Sequence, residues 1–239
     1  MSARHPASSE AHAHLNTLIK LLHVFQPGRA LAQFSKHADK RAFDVVSANA
    51  LYFVTHVSES DAPTEELLAR AAHAKQQINT CFSHLAEVAA PKLKNKHVVA
   101  HPLDAFSTSV LGKAASVRFI SVNQAHVNKL PLHKLEAHRA ITAHRALDGA
   151  DLLLLETKAV TPTSVIARQG ARLLAELASA HGIPVYALAT SWHATPRWHA
   201  SHNDEKIPAR LLTGILSEHG IYAHDQFLGR VQKTFPWLF

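Results

Sequence analysis

LLLLETKAVTPTSVIARQGARLLAELASAHGIPVYALAT, residues 152–190, carries the organisation of the chain. It opens on four consecutive leucines, and a short apolar run without polar alternation suits a strand buried on both faces. It closes on a second such run, IPVYALAT (183–190). Between them, TPTSVIARQGARLLAELASAHG reads as one helix, with Thr161 or Thr163 as its cap, Pro162 in its first turn and Gly182 at its end. Ile166, Gly170, Leu173, Leu174 and Leu177 form its apolar face, and Gly170 lets the helix backbone approach the sheet. Strand, helix and strand in that order predict a right-handed crossover in a parallel sheet.

Working outward, HVVAH (97–101) and VRFISVN (117–123) read as two further strands, which makes the second part of the chain a Rossmann-like α/β domain. Upstream the rhythm is helical. Leu15, Leu18, Ile19, Leu22 and Phe25 recur at three- and four-residue intervals, as do Phe43, Val46, Ala50, Phe53 and Val57. Leu67, Ala71, Ile78, Phe82, Leu85 and Val88 continue that pattern between Thr64 and Pro91, with breaks at QPGR and SESDAPT. The predicted organisation is a helical domain over residues 1–94 and an α/β domain over residues 95–239.

Composition narrows the classes. With 47% hydrophobic residues in 239, the chain can bury a core. Its apolar runs are only a few residues long, and MSARHPASSEAHAH lacks the apolar stretch of a secretory signal, so neither a membrane span nor export is expected. The one cysteine, Cys81, has no intrachain disulfide partner, which points to a cytoplasmic location. A formal charge of +7 favours polyanionic partners such as sugar phosphates, nucleotides or RNA. The charges are scattered, and the one basic run, KLKNKH (92–97), reads as a solvated hinge. The 20 histidines are spread along the chain and reflect composition rather than one metal site.

In open α/β sheets ligands gather at the C-terminal ends of the strands. That rule ranks the polar residues. Glu156, Thr157 and Lys158 follow the leucine run and belong on the ligand side, as do Ser191, Trp192 and His193 after YALAT; Asp151 precedes its strand and belongs at the opposite edge. Arg168, taken at a helix beginning, can hold a phosphate bidentately, helped by Lys158 and by backbone N–H groups of that helix's first turn. Ser107 and Thr108 in FSTSV can add hydroxyls, although capping a helix is the commoner role of such residues. The SWHATPRWHASHND stretch offers His193, His199, His202 and Asp204, but its spacing matches no standard zinc pattern, so no metal and no other cofactor is expected. Trp192, Trp198 and Arg197 there suit a loop packed on the sheet edge, or a lid that stacks on a ring. The apolar C-terminus, QKTFPWLF, is expected to pack on its own domain or on a partner subunit.

Three segments, ADLLLLETKAVTPTSVIARQGA, HGIPVYALATSW and IPARLLTGILSEHGI, carry a family resemblance over about residues 97–221. In their order and spacing they resemble the family of the alpha, beta and delta subunits of translation initiation factor 2B, which also contains ribose-1,5-bisphosphate isomerase and methylthioribose-1-phosphate isomerase. The resemblance implies a helical N-terminal domain, a Rossmann-like parallel-sheet domain of the NagB/RpiA/CoA-transferase type, and a homodimer through the C-terminal domain. It also implies a catalytic aspartate in a Gly-Ala-Asp after the leucine strand, where this chain has Glu156, Thr157 and Lys158. The family's Asn-Lys pair falls on Ala167 and Arg168, and its cysteine after the first strand is absent from AHPLDAF. Moving a hydrogen between adjacent carbons needs a base and an acid within reach of the substrate. The expected protein is therefore initiation-factor-2B-like and non-catalytic, binding a phosphorylated small molecule through Lys158, Arg168, Gly170, Ser107, Thr108, Ser191 and His193, or binding a partner protein. One alternative is a sugar-phosphate aldose-ketose isomerase that uses Glu156. The other is an interaction module for a translation factor or RNA, with a vestigial cleft.

Overall fold

The four leucines form the middle of the molecule. In a computed structural model that describes residues 6–24, 29–31, 33–34, 44–56, 63–101, 110–112, 114–121, 135–139, 143–196 and 203–239, Leu152–Glu156 is strand β4. It is the central member of a seven-stranded sheet in the order β10-β9-β7-β4-β1-β2-β3. The others are β1 (His97–His101), β2 (Ser116–Ser121), β3 (Leu135–Arg139), β7 (Val185–Leu188), β9 (Gly214–Ser217) and β10 (Gly220–Tyr222). All neighbours run parallel except the β9–β10 pair.

Successive strand residues point to opposite faces, so a run of four apolar residues supplies two layers at once. Leu152 and Leu154 pack on the helices that precede the sheet: α1 (Pro6–Val24), α2 (Val45–His56) and α3 (Thr64–Leu93). Leu153 and Leu155 face α4 (Ala143–Leu147) and α5 (Ala171–Ala180) on the other side. A third cluster joins Ala187 and Ile215 to α6 (His224–Thr234). The sequence periodicity holds in the first layer, where Leu15, Leu18, Leu22, Leu67, Ala71, Ile78, Phe82 and Leu85 are all buried. Phe25, Phe43 and Val57 lie outside the described residues. No helix of the described residues is long and apolar enough to cross a membrane.

The long helix expected over residues 161–182 is corrected. Only Ala171–Ala180 is helical; Ser164–Arg168 is strand β6, paired antiparallel with β5 (Ala159–Val160) and with β8 (Asp204–Pro208) in a separate three-stranded sheet. Local chemistry explains the difference. The Thr161 N–H and hydroxyl both donate to the Ser164 carbonyl at 2.9 Å, closing a tight turn around Pro162 and Thr163. Val165 and Ile166 are β-branched and buried on opposite faces of the ribbon, a pattern that does not distinguish strand from helix. Gly170 has φ 93°, outside the helical region, so the helix begins after it. Leu173, assigned above to the buried face, is exposed.

The helical layer and the sheet are fastened at one turn. After β7 the chain makes a 3₁₀ turn, Ser191–His193, that lies under α2. The Asn49 side-chain amide donates to the carbonyls of Trp192 and Ala194, both at 2.8 Å and both buried. Trp192, 1% exposed, packs on Phe53, Phe235 and Trp237. The apolar C-terminus therefore packs on its own chain, with Phe235 and Leu238 buried. At the opposite edge of the sheet, the His97 N–H donates to Asp151 at 2.7 Å and Lys96 to the same carboxylate at 3.2 Å. That ties the starts of β1 and β4 together.

Asn49→Ala leaves two buried carbonyls without donors, and we expect chemical denaturation to show a loss of about 1–3 kcal/mol. The carboxyl of Asp151 is held below the usual aspartate range by the His97 N–H and then by Lys96. A lowered native value stabilises the fold above the ordinary aspartate pKa of about 3.9 and ceases to do so as pH falls through the native value. Denaturant titrations of Asp151→Asn and wild type should differ from neutral pH down to about 4 and converge in stronger acid.

Candidate functional site

The strand order reverses at β1, whose neighbours β2 and β4 lead to opposite halves of the sheet. In this architecture a ligand crevice is expected there, beyond the C-terminal ends of β1 and β4. Those ends carry His101 and Glu156.

His101 is buried and tied on both sides. Its Nδ1 lies 2.8 Å from the Ile120 carbonyl of β2, and its Nε2 lies 3.0 Å from the Gln169 carbonyl in the turn before α5. A neutral imidazole can donate to one of these carbonyls and the imidazolium to both; either way the ring is committed to the backbone. Gly170 packs directly on it, since a Cβ at that position would come within 3.4 Å of Nε2. Nothing in the sequence singled His101 out.

Glu156 is half-buried at the end of β4, in register with Leu188. Strand alternation places it on the Leu152 and Leu154 side, facing the helical layer and away from α5. Lys158 follows, with its N–H donating to the Ile166 carbonyl at 2.8 Å and its ammonium in an ion pair with Asp204. The Asp204 side chain is 1% exposed, so this is a mostly buried pair, and removing either charge would strand the other.

Arg168 ends β6 and is exposed. Its register partner on β8 is Asp204, so the two side chains share one face of the ribbon with Lys158's ion pair. Ala167 and Glu205 occupy the other face, the one covered by α5. There a Glu205 oxygen accepts the Arg172 N–H at 2.9 Å, in the first turn of α5. The ribbon thus separates the groups expected to converge on a phosphate. Lys158 and Arg168 sit on one side of it, the amides of α5 on the other, and each side already has a carboxylate of this chain. Ser107 and Thr108 lie outside the described residues.

Ser191 and His193 belong to the turn that fastens α2. The Ser191 N–H donates to Glu218 at 2.9 Å and its hydroxyl lies 3.0 Å from His219 Nε2; both partners follow β9. His193 Nδ1 accepts the Thr190 N–H at 3.0 Å, and its ring meets Phe82 of α3 edge-on. The cysteine that the sequence placed far from this region comes close in space. Cys81 of α3 neighbours Glu218, and burial, followed by the charge of that carboxylate, pushes its thiol up from the ordinary range. A protonated thiol is a poor nucleophile. Among the described residues, no three His, Cys, Asp or Glu side chains gather as metal ligands would. His199 and His202 are outside the described residues.

No protein-family model matches the chain, and no curated protein sequence does. Solved structures do match. The translation initiation factor eIF-2B of Pyrococcus horikoshii OT3 superposes with a TM-score of 0.76 at 14% identity, over 93% of each chain. The tetrameric eIF2B-beta2-delta2 complex of C. thermophilum gives 0.73 at 16% identity, over 97% of this chain and 90% of that one. The 5-methylthioribose 1-phosphate isomerase of P. horikoshii OT3 gives 0.71 at 13% identity, over 98% and 85%. Identities of this size carry the fold and leave the chemistry to the individual residues. The chain has the α/β fold that eIF2B subunits share with methylthioribose-1-phosphate isomerase.

Proposed function

We propose that this chain is an eIF2B-subunit-like protein that acts through a partner protein and does not isomerise a sugar phosphate. The observation that carries this reading is the ion pair of Lys158 with buried Asp204 at the end of β4. An aldose-ketose isomerisation of the kind the resemblance implies uses a carboxylate there that is free to take and return a proton. Lysine cannot supply one, and Asp204 is held by the lysine. Glu156 is the last residue of β4, and strand alternation turns it toward the helical layer and away from α5.

Association is the role that this arrangement leaves open. The C. thermophilum neighbour is a tetramer of beta and delta subunits. By analogy with it we assign this chain to an oligomer, a homodimer through residues 95–239, and a translation factor as its partner, with RNA as a further polyanionic candidate for a chain of charge +7.

Purified protein incubated with methylthioribose 1-phosphate or ribose 1,5-bisphosphate should give no isomerised product above the protein-free control. Robust turnover abolished by Glu156→Gln would establish the isomerase alternative instead.

A further inference from the structure

We propose that Asp204 is a built-in stand-in for an anionic ligand, which closes an anion site of phosphate type formed by Lys158 and Arg168. The inference rests on the non-catalytic reading above and names what keeps that end of the sheet closed. One cation meets this carboxylate and a second stands in register with it on the same face of the β6–β8 ribbon. Lys158 makes an ion pair with Asp204, and Arg168 stands directly across from it in antiparallel register. Two register pairs further along, Ile166 is buried against Val45 and Ala159, so the face is closed there and opens to solvent at Arg168. Lys206, opposite Ile166, is also exposed and adds a third positive charge at the rim.

Without the aspartate, this face would hold an ammonium and a guanidinium flanking one vacated position, with no carboxylate between them. A guanidinium fork beside a point charge suits a tetrahedral oxyanion. Asp204 supplies one negative charge from within the chain, and its burial keeps that charge in place without competition from solvent. The other cationic feature nearby, the first turn of α5, is likewise answered by Glu205, but from the opposite face of the ribbon. Freeing one does not free the other.

Thermal unfolding in inorganic phosphate and in chloride at matched ionic strength tests the assignment. Wild type should melt at the same temperature in both. Asp204→Asn should show a saturable rise of about 3 °C in phosphate, since a ligand that binds only the folded form raises its stability. Adding Arg168→Gln should remove that rise. Asp204→Ser is the second variant, in case the amide does not fold, and far-UV circular dichroism reports folding for each. A wild type that responds as strongly as the variant overturns the proposal. So does a folded Asp204→Asn or Asp204→Ser protein that does not respond. Sugar-phosphate turnover by wild type would sink the non-catalytic reading whatever the variants do, whereas silent variants sink only the role given to Asp204.

Discussion

The structure depends on one strand being apolar on both faces. β4 holds the centre of the sheet, and each pair of its leucines belongs to a different core: Leu152 and Leu154 to the helical layer, Leu153 and Leu155 to the α4 and α5 layer. Its neighbour β1 repeats the pattern on a smaller scale, with Val98 and Ala100 in the first core and Val99 in the second. A polar substitution at any of the four positions would bury an unpartnered group, which is among the few single changes that cost several kcal/mol. The fold tolerates wide divergence elsewhere because this requirement is met by any run of branched or linear apolar side chains. Chains 13–16% identical to this one keep the same architecture.

The same economy does not protect chemistry. Parallel sheets bring polar residues to the C-terminal ends of the strands whether or not they catalyse anything, and a buried polar group there must find a partner. In this chain the partners are internal. His101 is held between the β2 and Gln169 carbonyls, Lys158 meets Asp204, the first turn of α5 meets Glu205, and Glu218 accepts the Ser191 N–H. These contacts engage the end of the sheet from within the chain, leaving the buried Thr157 hydroxyl without a hydrogen bond among the described residues. They also tie it to the helical layer, because Ser191 begins the turn whose carbonyls accept from Asn49.

Much of the fold was legible in the sequence. The leucine run, the HVVAH and IPVYALAT strands and the helical stripes of residues 15–22 and 67–85 all appear where their periodicity places them, because burial follows the pattern of apolar side chains directly. The division of residues 161–182 into a hairpin strand and a shorter helix was not legible. Val165 and Ile166 suit either state, and Gly170, whose positive φ decides the boundary, is read as easily in a helix as before one. The site was legible only as a list of residues. That Lys158 and Arg168 lie on one face of a ribbon and the α5 amides on the other follows from the register of β6 with β8, and Asp204 and Glu205 stand more than thirty positions away in the chain. His101 and the approach of Cys81 to Glu218 depend on the same kind of long-range juxtaposition, for which no local pattern exists.

At the end of the sheet, this chain's own carboxylates answer Lys158 and the first turn of α5. A crystal structure determined from phosphate-containing solution tests it most directly. Lys158 is expected to remain on Asp204 and Glu205 on the Arg172 amide, with no anion between Lys158 and Arg168. Phosphate bound between those two cations, with Asp204 displaced, would contradict it.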